Sequence, residues 1–151
     1  MKRFRFPLRP VSRLRAHYEL RAREAFAAAV GVCAESEKKL VRASARVVAL
    51  EAAVLAGRQT LFSAAGEAQN LGAYREELSV EAVAAKEKLA AQAALDQKRR
   101  EYIDAHRRAE VMRRLEEKAR AEHQLELNRE EQAEFDDIAG QRAARKTISK
   151  S

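Results

Sequence analysis

The chain has 151 residues, of which 35% are charged and only 5% aromatic, with no tryptophan, two prolines and a formal net charge of +7. That composition excludes an aromatic-cored globule and favours long helices or coiled coils, because alanine, glutamate, arginine, leucine and lysine dominate and no alternating run of β-branched and aromatic residues occurs. A single cysteine, Cys33, excludes an internal disulfide, and no histidine or cysteine cluster has metal-ligand spacing.

The charge is uneven. Residues 1–23 carry eight basic side chains against one acid, Glu19, and so hold the whole net +7. Residues 141–151 add Arg142, Arg145, Lys146 and Lys150 without an acid, which leaves residues 24–140 mildly acidic. No apolar run approaches the roughly 18 residues of a membrane span, and the basic start lacks the apolar core of a signal peptide. A cytoplasmic protein is expected.

Residues 1–9 alternate basic with apolar side chains, Phe4, Phe6 and Leu8 falling between Arg3, Arg5 and Arg9. Pro7 and Pro10 lack the amide that a helix interior needs, so the pattern predicts an extended basic arm with three apolar side chains exposed for docking. A first helix is predicted over 10–63, starting at Pro10 because proline suits a first turn. Its apolar line runs Val11, Leu14, Tyr18, Ala22, Phe26, Ala29 and Cys33. It then settles into steps of three and four through Ser36, Leu40, Ala43, Val47, Leu50, Val54, Gly57 and Leu61. This is a coiled-coil seam, in which Cys33 is a small packed residue.

Between Ala64 and Tyr74 the chain holds Gly66, Asn70 and Gly72, residue types that accept the left-handed conformation ending a helix, so a reversal is predicted at 64–73. A second helix follows over 74–139, with Tyr74, Leu78, Leu89, Leu95, Tyr102, Ala109, Met112, Ala119 and Leu127 along its line. Gly140 is read as its end, and 140–151 as a basic tail. At 1.5 Å per residue the second helix alone implies a rod on the order of 90 to 100 Å. A reversal centred near Ala68 places Leu61 by Tyr74, Val47 by Leu89, Leu40 by Leu95, Cys33 by Tyr102 and Val11 by Leu125. It also brings the basic arm and tail together.

No catalytic constellation emerges. His17, His106 and His123 are far apart, no glycine-rich phosphate loop or nucleophile elbow occurs, and the acidic run Glu130, Glu131, Glu134, Asp136, Asp137 lacks calcium-loop spacing. Neither an enzyme, a cofactor nor a metal is expected. A basic terminus suits phosphate contacts with nucleic acid or an acidic socket on a protein. The acidic body and the absence of a nucleic-acid module favour the protein partner.

Phe4-Arg5-Phe6-Pro7-Leu8-Arg9-Pro10-Val11, then Leu14-Arg15 and Glu19, resembles the opening of the FliJ family of the flagellar type III export apparatus. Leu115-Glu116-Glu117-Lys118, Asn128-Arg129-Glu130-Glu131-Gln132, Phe135-Asp136-Asp137-Ile138-Ala139 and the tail Gln141 to Lys146 are similar to its C-terminal part. The resemblance implies a long antiparallel two-helix coiled coil, all-α, similar to the stalk of rotary ATPases. It implies a non-catalytic component that binds and stimulates the export ATPase ring, contacts the membrane export gate and binds export chaperones at the inner membrane. For the ring it points to Phe4, Phe6, Leu8, Arg3, Arg5, Arg13, Arg15, Arg142 and Arg145. For the gate it points to Tyr74 and Leu78, with Ala85 further along the same face. The other readings are a nucleic-acid-binding coiled-coil adaptor and the equivalent stalk of an injectisome or rotary ATPase.

Overall fold

The computed structural model describes residues 3–60 and 63–149. Nearly all of them lie in two α-helices, α1 (Arg9–Gln59) and α2 (Ala64–Ile148), and no strand occurs among the described residues. The helices pack against each other, so the predicted all-α class holds. Two compact units are distinguished: a terminal unit, Met1–Tyr18 with His106–Ser151, and a hairpin unit, Glu19–Ala105.

In the hairpin unit the reversal is not at 64–73. Those residues are the first turns of α2, and the chain leaves α1 at Gln59. Ser63 explains the difference. Its hydroxyl accepts the Gly66 amide at 3.3 Å while its carbonyl accepts the Glu67 amide at 2.9 Å, which is N-cap geometry. Glu67 then places a carboxylate in the positive first turn and accepts from Arg58 Nε at 2.6 Å, tying the start of α2 to the end of α1. Two interior glycines cost about 1 kcal/mol each against alanine. A capped, ion-paired first turn offsets much of that, and neither glycine takes a positive φ. Leu61, assigned to the seam opposite Tyr74, lies outside the described residues.

This assignment has a direct consequence for Gly72, whose missing Cβ faces open space. Gly72→Ala is expected to raise stability by about 0.5–1 kcal/mol, read as an increased melting temperature by circular dichroism. A helix end at Gly72 requires the opposite sign.

The α1 seam predicted from Ala22 to Val54 is the buried or half-buried line of the hairpin unit, with Ala43 at 1% exposure; Gly57, placed on it too, is exposed. On α2 the line differs from the expectation. Leu95 and Tyr102 are on it, but Leu89 is 72% exposed, and Ala84 and Ala91 are buried instead. Small residues let the backbones approach, and polar side chains along the same line reach across. Cys33 Sγ lies 3.5 Å from Gln92, Ser44 Oγ donates to Glu81 at 2.7 Å, Lys88 pairs with Glu37 at 3.7 Å and the Tyr74 hydroxyl donates to Glu51 at 2.9 Å. In each of these pairs, and in Arg58 with Glu67, the two residue numbers add to 125. A reversal centred at Ala68 requires 136, so the expected partners of Val47, Leu40 and Cys33 are displaced by eleven residues. Tyr102, expected by Cys33, stacks on Phe26 with ring centroids 6.0 Å apart.

In the terminal unit, α1 starts one residue before the predicted Pro10, with the Leu8 carbonyl accepting the Ser12 amide at 2.9 Å. The half-buried positions of this stretch are Ser12 and Arg15, which face α2 around Ala109 and Met112, 3% and 8% exposed. Val11, Leu14 and Tyr18, read as seam residues, are 40%, 48% and 50% exposed. A regular repeat of seven counted back from Ala22 runs through Glu19, Arg15 and Ser12. The apolar line through Val11, Leu14 and Tyr18 needs extra steps of four, and the helix does not unwind to follow it. Arg9 pairs with Glu116 at 3.3 Å, so Val11 faces a part of α2 well short of Leu125, which is 57% exposed.

Gly140 does not end α2. The helix continues to Ile148, because one glycine among alanine, arginine and glutamine is a small penalty in a long helix.

Candidate functional site

The arm is partly folded rather than wholly exposed. Phe6 is buried at 6%, and the Phe4 ring is half-buried beside His123, centroids 5.6 Å apart, with the Arg120 guanidinium 5.3 Å above it. Leu8 alone of the three apolar arm residues is largely exposed. The expectation that all three are free to dock is therefore corrected. Two phenylalanines anchor the arm, because aromatic burial and a cation over a ring face outweigh the freedom of an extended segment. Glu116 accepts from both Arg9 and Arg120 at 3.3 Å, closing the anchor with two ion pairs.

Anchoring leaves an open groove with an apolar floor of Phe4, Phe6 and Pro10 and a rim of Arg5, Arg9 and Arg13. Arg3, Arg5 and Arg13 are exposed, while Arg15 is half-buried. All nine residues expected to contact the ring belong to the terminal unit. They are not one cluster, however. Arg142 is nineteen residues beyond His123, which is about 28 Å along a helix, and every described residue from Asn128 onward is exposed. The basic arm and tail share a unit without meeting.

A second surface of the terminal unit was not legible as such. Val11 and Tyr18 each precede a seam residue by one, and so does Leu115, which precedes Glu116. In an antiparallel pair those flanks lie on the same side, as Lys39 and Glu87 demonstrate in the hairpin unit by pairing at 3.4 Å. Leu14 and Val111 continue the face one step outward. Val111 and Leu115 are 56% and 42% exposed, so five large apolar side chains share one flank, with Arg108 and Lys118 also exposed on it. Isolated exposed apolar residues are ordinary, but a contiguous set rimmed by cations marks an interaction surface. A strict heptad count back from Ala22 would have found it.

The residues expected to contact the gate, Tyr74, Leu78 and Ala85, fall in the hairpin unit. Tyr74 is half-buried in the seam, and donation of its hydroxyl to Glu51, then burial, then the nearby Glu51 and Glu81 charges raise its pKa above the ordinary tyrosine value. Leu78 is 38% exposed and Ala85 half-buried, seven residues apart on one flank. Tyr74, Leu71, Val54 and Leu55 line a mostly apolar groove of about 260 Å³ beside Glu51. Among the described residues no group of three side chains is arranged to hold a metal ion, and no helix is long and apolar enough to cross a membrane.

No curated protein and no solved structure matches the chain. The family model described as flagellar FliJ protein matches residues 4–147, which takes in the anchored arm, both helices and most of the basic tail. With nearly its whole length matched, the chain belongs to the FliJ family of flagellar export apparatus proteins.

Proposed function

We propose that this protein is a non-catalytic stalk of the flagellar export apparatus, working in the cytoplasm at the inner membrane. Its terminal unit binds and stimulates the export ATPase ring, and its hairpin unit contacts the export gate and export chaperones. The observation that carries the reading is the terminal unit's combination of an anchored, arginine-rimmed arm with an exposed apolar flank, which suits insertion into a socket with acidic and apolar walls. Such a surface needs no catalytic group of its own. Cations steer the encounter and apolar contacts slow dissociation. On the hairpin unit, the groove beside Tyr74 and the exposed Leu78 support gate contact. With its hydroxyl engaged by Glu51, Tyr74 shapes that groove in this reading, and Leu78 makes the contact itself.

Mixing the protein with purified export ATPase is expected to give a complex and raised turnover. The absence of both a complex and stimulation would overturn the reading. Reversal of Arg3, Arg5, Arg13 and Arg15 to glutamate is expected to abolish ATPase binding and spare gate binding, measured separately in pull-down and titration. Loss of gate binding with ATPase binding intact would invert the assignment of the two units.

A further inference from the structure

We propose that the outer face of α1 in the hairpin unit is a self-association surface that takes a second copy of this chain, antiparallel to the first. Val41, Ala45, Val48, Ala52 and Leu55 follow one another in steps of four, three, four and three. That is a coiled-coil spacing, yet it lies on the side of α1 turned away from the seam through Ala43 and Val47. Val41, Val48 and Leu55 are 64%, 62% and 59% exposed, and Ala45 and Ala52 are exposed as well. A helix that is apolar on two opposite faces has a partner for one of them here. Lys38 and Gln59, at the next steps of the same spacing, bound the second stripe with polar residues.

The stripe is complementary to itself. Large and small side chains alternate along it, so an antiparallel copy sets Val48 against Ala45 of the second copy and Val41 against Ala52 of the second copy. A large residue then meets a small one in each of these layers, which is what close packing requires. A parallel copy in register instead stacks alanine on alanine and valine on valine, alternating gaps with crowding. The antiparallel register also brings Glu37 of one copy to Arg58 of the other, once at each end by two-fold symmetry. Both side chains are more than half exposed, and Glu37 is held within its own chain only at 3.7 Å, by Lys88. Fifteen residues of one helix face, about 21 Å long, make a small interface, so the association is weak and concentration-dependent.

The surface is separable from the export reading, since it shares only Leu55 with the groove beside Tyr74 and Val48 belongs to neither the ring contact nor the gate contact. Sedimentation equilibrium of the full chain is expected to give a reversible monomer–dimer curve, and Val48→Glu is expected to hold the protein monomeric at every concentration. Glutamate is a good helix former at an exposed site, so unchanged helicity by circular dichroism verifies that the variant folds. Leu14→Glu, in the terminal unit, is expected to leave the dimer intact. Spin labels on A45C and on Q59C, each in a Cys33→Ser background, report the orientation. The expected result is a short distance between copies for the first and about 38 Å along the axis for the second. A chain that stays monomeric throughout, a dimer indifferent to Val48→Glu, or a short distance at both labels would each overturn the proposal.

Discussion

Leu14→Glu combined with Tyr18→Glu is expected to weaken binding to the export ATPase by at least about tenfold while leaving thermal stability almost unchanged. Each side chain is about half exposed, so each has apolar area left to bury in a complex. At about 25 cal/mol per Å², completing the burial of two such residues contributes roughly 2 kcal/mol, and about 1.4 kcal/mol is already a factor of ten. A carboxylate forced into the same contact adds a desolvation cost. Stability is insulated from the change because the seam of this stretch runs through Ser12 and Arg15, and exposed substitutions outside a seam usually fall within about 0.5 kcal/mol. Titration of the labelled variant against the ATPase, beside a thermal melt, separates the two quantities. A large drop in melting temperature would return Leu14 and Tyr18 to the seam. Unchanged binding would remove this flank from the ATPase contact.

Phe6→Ala is expected to have the largest effect on the arm, on the order of 3 kcal/mol, because it deletes the one nearly fully buried aromatic side chain among the described residues. The loss is local. The arm is held at Phe6, at the Phe4 contacts with His123 and Arg120, and at the Arg9–Glu116 pair, so removing the first leaves two weaker ties. Hydrogen exchange is expected to accelerate at the amides of Arg9 and Ser12, which bond to the Phe6 and Leu8 carbonyls, while amides in the hairpin unit keep their protection. ATPase binding is expected to fall too, since Arg5 loses its position on the rim of the groove. Equal acceleration in both units would instead make Phe6 part of a single cooperative fold.

Helical class, the start of α1 near Pro10 and the α1 seam from Ala22 to Val54 follow from spacing and composition alone, since each depends on residues within a few turns of one another. The reversal falls before the glycines, between Gln59 and Ala64, although glycine is the weakest helix former in this stretch. Gly66 and Gly72 are conspicuous in the sequence, but Ser63 with Glu67 is a start signal, and a cap that satisfies orphan amides, with its ion pair, offsets much of a propensity cost of about 1 kcal/mol at each glycine. On α2, the line predicted through Leu89 was drawn by hydrophobicity, whereas the helix buries Ala84 and Ala91 and leaves Leu89 in solvent. Of the candidate site, the basic arm was legible as charge. Its anchoring was not, because it depends on His123 and Arg120, more than a hundred residues away in the chain.

By itself the sequence determined that two helices pair antiparallel and which stripe of α1 they share from Ala22 to Val54, because the periodicity of apolar side chains is a local property. Register was decided only in the tertiary structure. Sliding one helix by eleven residues turns its contacting face by only about 20°, close to three full turns, so a register displaced by that amount keeps an apolar match and passes a pairing test on paper. What distinguishes the two is polar and specific. Arg58 with Glu67, Glu51 with Tyr74, Ser44 with Glu81 and Cys33 with Gln92 meet only when the turn falls just before Ser63. The same constraint fixes which apolar residues are left over. With the seam of the terminal unit set on Ser12 and Arg15, Val11, Leu14 and Tyr18 remain on the surface as a face for a partner.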